Sequence, residues 1–161
     1  MKEDSSHFLK ANDHWNLTEC DETDKQYLAD FIGESTLTFL SKQNIDLYVQ
    51  KKNHPFFGDV TIFYFEHQGR TVELIHKGKY PNKIEVCYSF TNDFLSKDEK
   101  RYDAEGDLAS FNESMQFIRF LMRFFSSFKK DAPLVFRTFD QKRRNLVDLF
   151  VKTAGLTNVE Y

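Results

Sequence analysis

The segment from Phe111 to Phe128 constrains this chain more than any other. Phe111, Met115, Ile118, Met122 and Phe125 recur at helical spacing and make one apolar stripe. Phe117, Phe120, Leu121 and Phe124 widen it well beyond the arc that an ordinary amphipathic helix buries. Only Asn112, Gln116, Arg119, Arg123 and Ser126 are left for water. Such a helix belongs either at the centre of a fold or beneath a second chain. The second choice makes Phe117, Phe120, Phe124, Arg119 and Arg123 a candidate interface, for a protein partner or for another copy of this chain. Ser110 and Glu113 fit a capping box at the start of the helix, each side chain satisfying an orphan N–H of the other's turn.

The rest of the chain reads as helix, then strands, then strand–helix–strand. Leu28, Phe31, Ile32, Ser35 and Phe39 place a helix over 24–42, with Thr23 and Gln26 as its capping box and Gly33 as a weak point. A short strand over 45–50 precedes a loop marked by His54-Pro55 and Gly58. Over 60–67, Val60, Ile62 and Tyr64 alternate with Phe63 and Phe65, so both faces of that strand carry apolar groups. Gln68-Gly69 turns it into a second strand over 70–77, as a hairpin. A strand over 83–91 alternates Ile84, Val86, Tyr88 and Phe90 with Glu85, Cys87 and Ser89, the pattern of a sheet with one wetter face. A strand over 133–139, a helix over 140–154 stopped by Gly155, and a last strand over 156–161 complete the chain.

These elements predict an α+β fold: a mostly antiparallel sheet of four to six strands packed against two or three helices, with a single layer of helices on at least one face. A length of 161 residues suits one globular domain over 1–161. Residues 1–20 read as an N-terminal arm docked by Trp15, and 92–109, dense in Asp, Glu, Lys and Arg, as a charged mobile surface loop.

Charge and motifs narrow the function. A net charge of −3 and a pI near 6.0 argue against a dedicated nucleic-acid binder, whose affinity rests on neutralising phosphates. Cys20 and Cys87 read as free thiols of a reducing, cytoplasmic setting. The N-terminal residues lack the apolar stretch of a signal peptide, and no run of apolar residues is long enough to span a membrane. Asp103, Glu105 and Asp107 fail the spacing of a calcium loop, and the five histidines have no metal-binding spacing, so no metal and no cofactor is expected. There is no nucleophile elbow, no P-loop and no dinucleotide fingerprint. Lys142, Arg143 and Arg144, just after Asp140 in a first helical turn, oppose the helix dipole and form a candidate anion site. The expectation is a small non-catalytic intracellular protein, acting by protein–protein interaction in a binding or regulatory role.

The element order is also similar to that of the GCN5-related N-acetyltransferases: an N-terminal strand, helices, an antiparallel meander, a long central helix, then strand–helix–strand. The stretch from Pro133 to Gly155-Leu156 resembles that family's last strand and helix, including the closing Gly-plus-apolar pair. The family's pyrophosphate loop, Q/R-x-x-G-x-G/A, has no counterpart between Arg101 and Ser110, where one Gly106 stands among carboxylates. Phe150 and Val151 stand where the family has a tyrosine. The resemblance implies the alternative to a binding protein: an acyltransferase-like enzyme, or a relative that has lost the acetyl-CoA loop.

Overall fold

The computed structural model describes residues 17–88, 108–137 and 141–161, with 108–111 by backbone alone. Most of the expected N-terminal arm and charged loop, as well as Asp140, lies outside the described residues. The elements run β1 (Thr18–Glu19), α1 (Glu22–Ile32), α2 (Glu34–Lys42), β2 (Tyr48–His54), β3 (Gly58–His67), β4 (Arg70–Lys77), β5 (Ile84–Tyr88), α3 (Leu108–Ser126), β6 (Leu134–Phe136), α4 (Gln141–Ala154) and β7 (Val159–Glu160). The class is α+β. The sheet has seven strands rather than four to six, in spatial order β1 to β7. Strands β1 to β5 pair antiparallel, whereas β5/β6 and β6/β7 pair parallel. The parallel pairs follow from the helices between them: a strand–helix–strand crossover brings the chain back in the same direction.

Among the described residues four helices stand where two or three were expected, because the first one breaks. Gly33 takes φ +98°, a conformation that L side chains rarely adopt, and its N–H bonds Ala29 O at 2.7 Å. The chain then restarts as α2. A Cβ at Gly33 would also sit 3.4 Å from Lys129 Cβ. The cap of α1 is Asp21 with Asp24, not Thr23 with Gln26. The two carboxylates accept reciprocally from backbone N–H groups at 2.8 and 3.1 Å, and Gln26 instead donates to Asp30 at 2.8 Å. Helix α3 is already helical at Leu108, so Ser110 is not its cap, and Glu113 pairs with Arg70 at 3.5 Å. The first long strand begins three residues later than expected, at Tyr48, and runs to His54. Gly155, at φ +70°, ends α4 as expected.

Register aligns Val49, Phe63, Leu74, Val86 and Phe136 in one row across five strands. All four helices pack on that face. Phe124 meets Phe65 with ring centroids 5.2 Å apart, Phe120 meets Phe39 of α2 at 5.7 Å, and Phe125 meets Phe136 and Phe150 at 5.3 Å each. Phe117, Phe120 and Phe124 are therefore buried by their own chain. This corrects the candidate interface: its three aromatic rings belong to the core, and only Arg119 and Arg123 face out. The surplus of Phe goes to the centre because one helix there touches the sheet, α2 and α4 together. Each ring so buried contributes about 1.5–3 kcal/mol.

Candidate functional site

The opposite face of the sheet carries no helix in its apolar cluster, which comprises Phe57, Val60, Ile62, Tyr64, Ile75 and Cys87 with Leu17 and Tyr48 against it. Register interleaves polar groups with these. Gln50, Ile62, Ile75, Glu85 and Val135 form one row, and Tyr48, Tyr64, Glu73 and Cys87 the next. The alternation in β5 marked this as the wetter face, yet Gln50, Glu73, Lys77, Glu85 and Cys87 are all buried. Electrostatics accounts for part of it. Lys77 Nζ lies 2.5 Å from one oxygen of Glu85, and Arg137 Nε donates to the other at 2.9 Å. A buried carboxylate survives when both oxygens are matched in this way. Glu73 is different. Among the described residues its Oε1 has no hydrogen-bond partner, and neither has Gln50 Oε1. Burial first, then repulsion from Glu85, hold the Glu73 carboxyl well above the usual carboxylate range, against the attraction of Lys52.

One end of the sheet gathers exposed aromatic rings. The turn between β2 and β3 presents Phe56, 53% exposed, and the turn between β4 and β5 presents Tyr80, 45% exposed. Backbone bonds fasten the two turns together: Gly78 N–H donates to Asp59 O at 2.7 Å and Lys79 N–H to Phe57 O at 2.9 Å. His54 Nδ1 accepts from the N–H groups of Phe56 and Phe57, which fixes the first turn further. Phe57 is the buried hub, edge-on to Phe56 and 6.4 Å from Tyr80. Exposed Lys79 lies over the Phe56 ring at 3.4 Å. The rings are thus displayed on locked backbone with a cation beside them.

The same end holds a hydrogen-bonded relay. His76, on β4, is buried under Tyr27 and Phe31 of α1, with ring centroids 5.5 and 5.0 Å away. Its Nε2 lies 2.9 Å from Pro81 O and its Nδ1 lies 2.7 Å from Tyr27 Oη. A carbonyl oxygen only accepts, so Nε2 carries a proton, and in the neutral tautomer this leaves Nδ1 to accept from the Tyr27 hydroxyl. Tyr27 remains 39% exposed.

The residues singled out in the sequence lie elsewhere. Lys142 and Arg144 are exposed and Arg143 is half-buried, in the first turn of α4. Arg144 stacks on the Tyr161 ring at 3.9 Å and lies 3.9 Å from Asp148, so its guanidinium is directed along the helix and toward the C-terminal residue. Arg123 lies over Phe39 at 5.8 Å. His67 stacks on Phe120 with centroids 4.0 Å apart; burial, then Arg123, lowers its pKa. Both cysteines are buried, and burial pushes the Cys20 thiol up to about 12. Among the described residues no three His, Cys, Asp or Glu side chains are grouped to hold a metal ion, and no helix is long and apolar enough to cross a membrane. Sequence reasoning passed over Tyr27, Phe56, His76 and Tyr80. The signal available for two of them was aromatic residues inside turns, Pro55-Phe56-Phe57-Gly58 and Tyr80-Pro81, where a core residue has no reason to be.

No family model matches the chain, and no curated protein or solved structure is significantly similar to it.

Proposed function

We propose that this protein acts by binding another protein through the aromatic end of its sheet, the surface formed by Phe56, Tyr80 and Lys79 with Tyr27 near by. The observation that carries the reading is the pairing of exposure with rigidity. Three of the five large hydrophobic side chains exposed among the described residues, Tyr27, Phe56 and Tyr80, belong to this end. Rings displayed on fastened turns lose little entropy on binding, and Tyr, Trp and Arg dominate the energetic centres of interfaces for related reasons. Lys79 adds a preference for a partner segment that offers a carboxylate beside apolar side chains. The test compares wild type with Phe56→Ser/Tyr80→Ser as bait in an extract of the source cells, with Leu149→Ser, exposed on α4, as the control. The expected outcome is one complex retained by wild type and the control and lost by the double variant. Equal retention by all three would overturn the reading.

A second reading is favoured by one observation. The element order is similar to the acyltransferase layout, and β5 runs on to Tyr88 although its pairing with β6 ends at Val86 and Phe136. On this reading Lys142, Arg143 and Arg144, in the first turn of α4, would hold an anionic group of the ligand. Thermal stabilisation by acetyl-CoA, abolished in Arg143→Ala/Arg144→Ala, is the outcome this reading requires.

A further inference from the structure

The relay of Tyr27, His76 and Pro81 has the arrangement of an assisted nucleophile, and the binding surface does not require it. Of the two side chains Tyr27 is the one that reaches solvent, 39% exposed, whereas His76 is buried. The base is aimed at its proton at 2.7 Å, and the base is in turn oriented by a carbonyl at 2.9 Å. Nucleophile, base and orienting group within hydrogen-bond reach is the general signature of nucleophile activation. The ring of His76 cannot turn away, because Phe31 lies 5.0 Å from it and Tyr27 closes the other side. Burial raises the Tyr27 phenol above its ordinary range, with Lys51 opposing the rise, so the free phenolate is scarce and a base is what makes the oxygen reactive. Lys51 itself is exposed and held by Asp24 at 3.2 Å.

We propose that Tyr27 is a general-base-assisted nucleophile and a site of covalent modification, taking a phosphoryl group from an activated phosphoryl donor while His76 takes its proton. In the step, a bond forms between Tyr27 Oη and phosphorus as the bond from phosphorus to the leaving group breaks. The electron pair departs with the leaving group, and the hydroxyl proton moves to His76 Nδ1. The bond from Nε2–H to Pro81 O holds the ring and stabilises the imidazolium so formed.

The experiment treats the full chain with an alkyl fluorophosphonate, whose leaving group is fluoride, and maps adducts by peptide mass spectrometry over time. Tyr80 and Tyr161 serve as internal standards, since they are 45% and 43% exposed against 39% for Tyr27. Tyr27 is expected to react at least about tenfold faster than either, since positioned base catalysis contributes about 10²–10⁴-fold. In His76→Gln that advantage is expected to vanish while Tyr80 reacts as before. Labelling of Tyr27 no faster than Tyr80, or as fast in His76→Gln as in wild type, would overturn the proposal. Because His76→Gln removes a buried ring, the pH profile of the wild type is a second, independent measurement. The Tyr27 rate is expected to show no further rise across the range in which the phenol itself ionises. A rate that keeps climbing through the phenol range would show direct attack by phenolate and overturn the role of His76.

Discussion

Glu73 carries a measurable signature of its environment. It occupies a fully desolvated position beside Glu85, with one oxygen unpartnered, and its neutral form is favoured in the fold. An acid whose folded pKa exceeds its unfolded value binds a proton more tightly when folded. The fold therefore pays nothing for Glu73 below the unfolded value of about 4.3, and loses stability as pH rises from there toward the folded value. Glu73→Gln is expected to raise the melting temperature at pH 7 by several degrees and to leave it nearly unchanged at pH 4, as read by thermal melts across that range. Equal effects at both pH values would mean that Glu73 is not held neutral. Neither this group nor the relay was legible in the sequence. Glu73 and Glu85 stand in alternating patterns that normally mean solvent, and what holds Glu85 is Lys77 on the adjacent strand together with Arg137, 52 positions away. Tyr27 and His76 are 49 positions apart, and no local pattern joins them.

Helices and strands were more legible, and where the reading slipped the cause is a single backbone conformation or a neighbouring strand. The hairpin of β3 and β4 was found because alternation and the Gln68-Gly69 turn are both local, and its register from Val60↔Lys77 to His67↔Arg70 follows from that turn. The long first helix was read through Gly33, since spacing alone does not register that φ is +98°. Gly33→Ala is expected to destabilise the fold by about 1–2 kcal/mol, the cost of a left-handed backbone at an L residue, as measured by urea denaturation. An unchanged midpoint would mean that the break is not conformationally demanding. In α3 the pattern was read correctly and its destination was open. Phe124→Ala is expected to cost about 3–5 kcal/mol, the range for emptying a ring from a packed core. A loss below about 1 kcal/mol would return that face of α3 to the surface.

The whole molecule combines a helix-covered face, a second face with charges buried between aliphatic rows, and one end where aromatic rings are left outside. Its aromatic excess was legible as core, and the core is where most of it went. The remainder includes a few exposed rings on two turns, brought together by backbone bonds that no composition predicts. Replacing Phe56 and Tyr80 by serine is expected to change folding stability by no more than about 0.5 kcal/mol each, as surface positions do. A loss of binding in those variants would then report contact and not unfolding. The most direct measurement places a photo-reactive phenylalanine analogue at position 56 and, separately, at position 149, and irradiates each protein in its source cells. A discrete protein adduct is expected from position 56 and not from position 149. No adduct from position 56, or the same adduct from both, would contradict it.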